Sequence, residues 1–253
     1  MAISFKDKVV IVTGSGNGLG RSHALQFAQR GAKLVVNDLG GEIDGSGGSS
    51  EAAEKVVEEI KKNGGEAIAN GSSVTDKAGV KKLVDDAMAA FGRIDVLVNN
   101  AGVLRDKSFG KVTLDDFEFV VDVHLMGSVY CTKAVWPIMM EQNYGRVVMT
   151  SSSSGVYGNF GQTNYGAAKL GVVGFMNSLK IEGQKYNIKV NSLIPVAATR
   201  MTESLMPKEA LEKLQPDVVS PAVLFMASED APTGIMLSAG AGVYALAQII
   251  QAP

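Results

Sequence analysis

Short, almost unbroken apolar runs alternate along this chain with stretches in which apolar residues recur every three or four positions. Val9-Val10-Ile11-Val12 reads as a buried strand and residues 18–30 as the helix after it. Leu34-Val35-Val36-Asn37-Asp38 is a second strand, followed by a helix from about 50 to 62 with Val56, Val57 and Ile60 on one side. Ala67-Ile68-Ala69 predicts a short strand, residues 77–91 a helix, and Val96-Leu97-Val98 a strand ending in Asn99-Asn100-Ala101-Gly102. A long helix is expected from about 115 to 142, with a break near Asp122. Residues 146–150 are the fifth strand, 163–185 another long helix, and 189–194 the sixth strand. Residues 234–251 predict a last strand and an apolar tail. There Val243, Leu246, Ile249 and Ile250 pack either against a second subunit or into the core.

Strands apolar along their whole length, alternating with helices, imply a parallel sheet covered on both faces. The expected fold class is therefore α/β: one Rossmann-type, doubly wound domain over residues 1–253, with about seven strands. Residues 40–50 hold five glycines and three serines and read as a mobile loop inside that domain.

Composition narrows the function classes. With 46% hydrophobic residues the chain can bury one large core, and a net charge of −2 offers no basic surface for nucleic acid. The single cysteine, Cys131, rules out an intrachain disulfide and suits a reducing compartment. The apolar runs are too short to span a bilayer. Residues 1–8 lack the apolar core of a secretory signal, and Gln251-Ala252-Pro253 is not a peroxisomal address. A cytoplasmic protein without a metal site is the expectation.

The chemistry-bearing residues come in a fixed order. Thr13-Gly14-Ser15-Gly16-Asn17-Gly18-Leu19-Gly20 directly follows the first strand and opens the first helix. Glycines there let the backbone approach a pyrophosphate, and the helix N-terminus supplies free N–H groups and a positive dipole end. Asp38 ends the second strand, where a carboxylate can hydrogen-bond both hydroxyls of an adenosine ribose and repel a 2′-phosphate. Neither Leu39 nor Asn17 supplies the cation a phosphorylated cofactor would want, so NAD is expected over NADP. Asp38 can also cap the loop after it.

Tyr165 and Lys169 stand four apart on a predicted helix and share a face. A phenol is a poor proton shuttle at neutral pH, and a lysine ammonium beside it, helped by the positive nicotinamide ring of NAD, favours the phenolate. Ser152 closes the fifth strand, where its hydroxyl can hold a substrate oxygen. Ser151, Ser153 and Ser154 surround it, a cluster that by itself reads as a loop.

Taken together, the glycine loop, Asn99-Asn100-Ala101-Gly102, Ser152 and the Tyr165/Lys169 pair resemble the short-chain dehydrogenase/reductase family over nearly the whole chain. The resemblance selects Ser152 from its cluster. It implies Tyr165 as acid/base, Lys169 as its activator and ribose ligand, and Asn99 as a strand-end residue lining the cofactor. Cofactor contacts are implied at Gly14, Gly16, Asn17, Gly18, Leu19, Gly20, Asp38, Ser73, Val74, Asn100, Ala101, Gly102, Tyr165, Lys169, Pro195 and Thr199. Transfer to the nicotinamide B face and a homodimer or homotetramer are further implications.

A narrower set is similar to the dehydrogenase units of peroxisomal D-specific multifunctional β-oxidation enzymes. It comprises Asn37-Asp38-Leu39-Gly40-Gly41, the loop to Ser50, Val56 to Ile60, Gly102 to Phe109, and Tyr157-Gly158-Asn159-Phe160-Gly161-Gln162. That likeness implies NAD-linked oxidation of a (3R)-hydroxyacyl-CoA, with 17β-hydroxysteroids as the alternative substrate. The chain is similar to that unit alone, without the hydratase and sterol-carrier parts, as expected of a free-standing bacterial version. A catalytically silent NAD-binding or redox-sensing protein is the alternative from another class, opposed by the intact Ser152, Tyr165 and Lys169.

Three positions depart from the wider family. His124 stands where an asparagine of an Asn-x-x-Gly pattern is common in the wider family; the β-oxidation subgroup carries histidine there, which supports the narrower likeness. This histidine belongs either to a proton path or to a backbone carbonyl at a helix kink. Ser72 and Ser73 replace an acidic residue at the adenine, and Pro195-Val196 replaces a proline-glycine turn. Residues 199–214, with Met201, Leu205, Met206, Leu211 and Leu214, are expected to cover the substrate, or else form an ordinary amphipathic helix. Lys208 and Lys213 are candidates for CoA phosphates. His23, on the first helix, reads as structural.

Overall fold

The computed structural model describes residues 3–197 and 208–251. Among them, eight strands form one sheet in the order β3-β2-β1-β4-β5-β6-β7-β8. The strands β1 (Val9–Thr13), β2 (Lys33–Asn37), β3 (Glu66–Asn70), β4 (Val96–Asn99), β5 (Gly145–Thr150), β6 (Ile188–Pro195) and β7 (Met236–Gly240) run parallel. β8 (Val243–Ala247) returns antiparallel along β7. The helices are α1 (Gly18–Ala28), α2 (Glu51–Lys62), α3 (Lys77–Phe91), α4 (Leu114–Val121), α5 (Gly127–Gln142), α6 (Ser153–Tyr157), α7 (Thr163–Glu182), α8 (Lys208–Lys213) and α9 (Ser220–Ala227).

Successive residues of a strand point to opposite faces of the sheet, and each face here has its own core. Val10 and Val12 of β1, Leu34 and Val36 of β2 and Val96 and Val98 of β4 join Ala24 and Phe27 of α1, Val56 and Ile60 of α2 and Val223 of α9. Ile11, Val35 and Leu97, one residue out of phase, join Val80 and Leu83 of α3, Val135 and Met139 of α5 and Val172 and Met176 of α7. This two-sided burial is why the strands read as continuous apolar runs. Truncating Ile11 or Leu97, both fully buried, to alanine costs about 2–5 kcal/mol.

One element, an eighth strand, is unexpected, and the expected break near Asp122 takes a particular form. The eighth strand exists because Ala241 and Gly242 both adopt positive φ, 49° and 76°, the turn that best matches strand twist. Val243, Leu246, Ile249 and Ile250 are consequently exposed, so they do not pack into the core. The helix expected over 115–142 is three pieces: α4, a π-helical turn at Asp122–Met126, and α5. One wide turn of this kind often marks a functional position, and here it carries His124. No helix among the described residues is long and apolar enough to cross a membrane.

The strand order reverses between β1 and β4. In open parallel sheets, ligands sit beyond the carboxyl ends of the strands at such a reversal.

Candidate active site

At that reversal lies one cavity of about 490 Å³, lined by the glycine loop at one end and by Ser152, Tyr165 and Lys169 at the other. The glycine loop is closed so tightly that a Cβ on Gly20 would collide with the Gly14 carbonyl, and one on Gly14 would lie 2.7 Å from Ala101 Cα. Asn17 makes no side-chain cap, which leaves the first N–H groups of α1 for a ligand. Asn100 fixes the loop to β4: its Nδ2 donates to Thr13 O (3.0 Å) and Gly14 O (2.9 Å). Thr13 Oγ1 accepts from the Asn100 and Ala101 N–H groups.

Asp38 faces the same cavity and is held from both sides. Its Oδ2 accepts from Gly16 N–H (2.7 Å) and its Oδ1 from Gly40 N–H (2.6 Å). It therefore caps the loop after β2 and also presents a carboxylate to the cavity. This cradle fits a dinucleotide: a backbone without side chains, helix N–H groups for phosphates and an acceptor for ribose hydroxyls.

At the other end, Ser152 is the N-cap of α6, its Oγ accepting from Ser154 N–H (3.1 Å). The serine cluster thus starts a short helix. The Ser152 hydroxyl lines the same cavity as the Tyr165 phenol and favours its ionised form. Asn164 supports Tyr165 from behind, accepting its N–H at 2.8 Å while donating to Arg105 O at 3.2 Å.

Lys169 is only 3% exposed, and its Nζ donates to Thr150 O (2.6 Å), 5.4 Å from the centre of the Tyr165 ring. Burial lowers the Lys169 pKa to about 7. Burial likewise pushes Tyr165 up to about 12, against the effect of the Ser152 hydroxyl and with a contribution from the charge of Asp106. In the protein alone, desolvation is the largest influence on both groups. A positive charge delivered with a ligand would lower the phenol.

His124 stands edge-on to Tyr165, ring centres 5.0 Å apart. Its Nε2 lies 2.8 Å from Val103 O and 3.1 Å from Val103 N, and its Nδ1 is buried with no partner among the described residues. Burial, then the nearby Lys169, hold its pKa well below the usual histidine value, so the ring is neutral. The bond to a backbone carbonyl at a helix irregularity is the arrangement present.

Most expected cofactor residues line this cavity: Gly14, Asn17, Gly18, Leu19, Gly20, Asp38, Ser73, Val74, Asn100, Ala101, Gly102 and Pro195. Gly16 does not; it faces a neighbouring groove beside α2, with its N–H taken by Asp38. Asn99 does not either. It turns inward, its Nδ2 on Thr132 Oγ1 (3.1 Å) and Met149 Sδ (3.3 Å). Thr199 and residues 199–207 lie outside the described residues. Lys213 is exposed at the end of α8.

Val196 continues the β6 ladder onto Ala239 O (2.8 Å) and lines the cavity. The close approach needing glycine falls on Gly240, whose Cβ would sit 2.5 Å from Val196 O. Ser73 is engaged with Thr75 Oγ1 at 2.9 Å. Sequence reasoning assigned no site role to Thr13, Thr150, Asn164 or Asp106. Asn164 alone carried a signal, being the polar neighbour of Tyr165.

A family model described as short chain dehydrogenase matches residues 8–210. The chain is 54% identical over 243 residues to peroxisomal multifunctional enzyme A of Dictyostelium discoideum, covering 96% of this chain and 54% of that protein. It thus spans about half the length of that relative. The structure superposes on full-length peroxisomal multifunctional enzyme type 2 from Drosophila melanogaster with a TM-score of 0.81 and 40% identity, covering 98% of this chain and 40% of that one. A 7α-hydroxysteroid dehydrogenase complexed with NADH and 7-oxo glycochenodeoxycholic acid matches with a TM-score of 0.84 and 28% identity, over 94% and 95% of the two chains.

Proposed function

The chain belongs to the short-chain dehydrogenase family, and on that premise we propose that it interconverts the (3R)-hydroxyacyl and 3-ketoacyl forms of an acyl-CoA with NAD. The observation that carries this reading is the single cavity shared by Ser152, Tyr165 and Lys169 at one end and by Asp38 with the glycine loop at the other. The bound nicotinamide ring supplies the hydride acceptor or donor. Tyr165 takes the proton from the alcohol, or returns it to the ketone. Ser152, on the same cavity wall as Tyr165, orients the substrate oxygen and stabilises its developing charge. Lys169 lies beside the phenol and is placed to bond the cofactor ribose.

NAD over NADP rests on Asp38, whose carboxylate faces the cavity and repels a 2′-phosphate. The acyl-CoA assignment is supported by the multifunctional peroxisomal relatives. A hydroxysteroid is the second reading, favoured by the steroid-dehydrogenase neighbour of almost equal length. A homodimer or homotetramer, supported by the exposed Val243, Leu246, Ile249 and Ile250, and a cytoplasmic location complete the proposal.

The test is NADH consumption with acetoacetyl-CoA, a longer 3-ketoacyl-CoA, a 17-ketosteroid and a 7-keto bile acid, with NADPH as control. Turnover of the acyl-CoAs with NADH is expected. Turnover of a steroid alone replaces the acyl-CoA reading with the second one.

A further inference from the structure

The segment between α6 and α7 meets the loop after β4 at one short hydrogen bond, Gln162 Nε2 to Asp106 Oδ2 at 2.6 Å. The carboxamide oxygen of Gln162 accepts from Ser154 Oγ (2.7 Å) and Asn159 Nδ2 (2.9 Å). Ser154 N–H donates to Ser152 Oγ, and Ser152 lines the cavity together with Tyr165. A connected series of hydrogen bonds therefore runs from a carboxylate at the solvent edge to Ser152, which shares the cavity with the phenol.

The charges around this series are unevenly matched. The neighbours of Asp106 in sequence, Arg105 and Lys107, are both committed to Asp116, at 3.1 and 3.0 Å. Asp106 has no ion pair among the described residues. Tyr165 is faced by Ser152 at the α6 cap, by neutral His124 from the π-turn and by Lys169 from its own helix. The Asp106 charge acts on the phenol in the direction that retains its proton.

We propose that Gln162 and Asp106 are positioning residues for proton transfer: Gln162 fixes the Ser154–Ser152 segment against Tyr165, and Asp106 holds Gln162 while presenting an unpaired negative charge to the phenol. The pair thereby sets the pH at which Tyr165 works as a base, and biases it toward its acid role in ketone reduction. This rests on the proposed alcohol–ketone chemistry of the same cavity.

The test compares Asp106→Asn, which keeps an acceptor for Gln162 but removes the charge, with Gln162→Ala. In the pH profile of kcat/KM for alcohol oxidation, Asp106→Asn is expected to move the ascending limb to lower pH by roughly 0.5–1 unit. Gln162→Ala is expected to lower kcat about tenfold or more, while NAD affinity and the circular dichroism spectrum stay as in the parent. A purely structural role would lower rates at every pH without moving the limb, and that result overturns the proposal. A second readout needs no substrate. In protein labelled with fluorotyrosine, the Tyr165 resonance, assigned by its loss in Tyr165→Phe, should titrate at lower pH in Asp106→Asn. If no alcohol is turned over, the proposed function fails, and the fluorine titration still decides the positioning pair.

Discussion

Gly102 and His124 are packed so closely that a methyl group on the first would occupy the imidazole of the second. The contact joins the end of β4 to the π-turn and sets where the imidazole edge meets the Tyr165 ring. Gly102→Ala should push His124 off Val103 and toward Tyr165. The expected result is a loss of about 1–3 kcal/mol in unfolding free energy together with a lower kcat. Urea unfolding and steady-state kinetics on the same sample check it. Parent-like values of both would mean that the ring relocates without consequence.

Asp38 holds two backbone N–H groups as well as facing the cavity, so its substitutions must separate folding from recognition. Asp38→Asn keeps an acceptor for one of those N–H groups and removes the charge. NADH should bind roughly ten- to a hundredfold more weakly, as expected for a lost hydrogen bond to a charged acceptor. NADPH should bind more tightly than to the parent. Nucleotide fluorescence titrations read both. An unchanged ratio of the two affinities would remove Asp38 as the basis of cofactor choice.

Tyr165→Phe removes one hydroxyl from a side chain whose backbone is held independently by Asn164. Turnover should fall by about 10²- to 10⁴-fold, the usual worth of a positioned acid/base. The cofactor dissociation constant should change little. Equal losses in binding and turnover would point to a collapsed cavity.

The parts legible in the sequence were those that depend on local spacing. Four residues between Tyr165 and Lys169 make a shared helical face, and a glycine loop between β1 and α1 makes a phosphate cradle. The unreadable parts depend on contacts between distant segments. Gln162 and Asp106 are 56 residues apart, and Asn100 clamps Gly14 across 86. The break near Asp122 was legible, but its π-helical form depends on how α4 and α5 each pack, which apolar periodicity does not encode. β8 follows from a turn that gives a positive φ to Ala241, a residue with no such preference. The burial that lowers the Lys169 pKa is a tertiary property, invisible in a Tyr-x-x-x-Lys spacing.

His23 supplies a prediction about acid stability. On α1 its Nδ1 lies 2.7 Å from Ser220 Oγ of α9, and its Nε2 is buried without a partner among the described residues. Burial lowers its pKa from 6.5 to about 3. The unfolded chain therefore takes up a proton on this histidine at a higher pH than the folded one. The stability from keeping the ring neutral is complete above about pH 6.5. It is lost as pH falls toward 3, at about 1.4 kcal/mol per pH unit. His124, lowered in the same direction, adds a second loss as pH falls below about 6.5. Replacing His23 by Asn keeps a polar partner for Ser220 and removes the titration. The variant should be less stable than the parent at neutral pH, and the gap should narrow or reverse near pH 4. Urea unfolding across that range measures the gap, and parallel stability curves for parent and variant would show that His23 is not a source of the acid sensitivity.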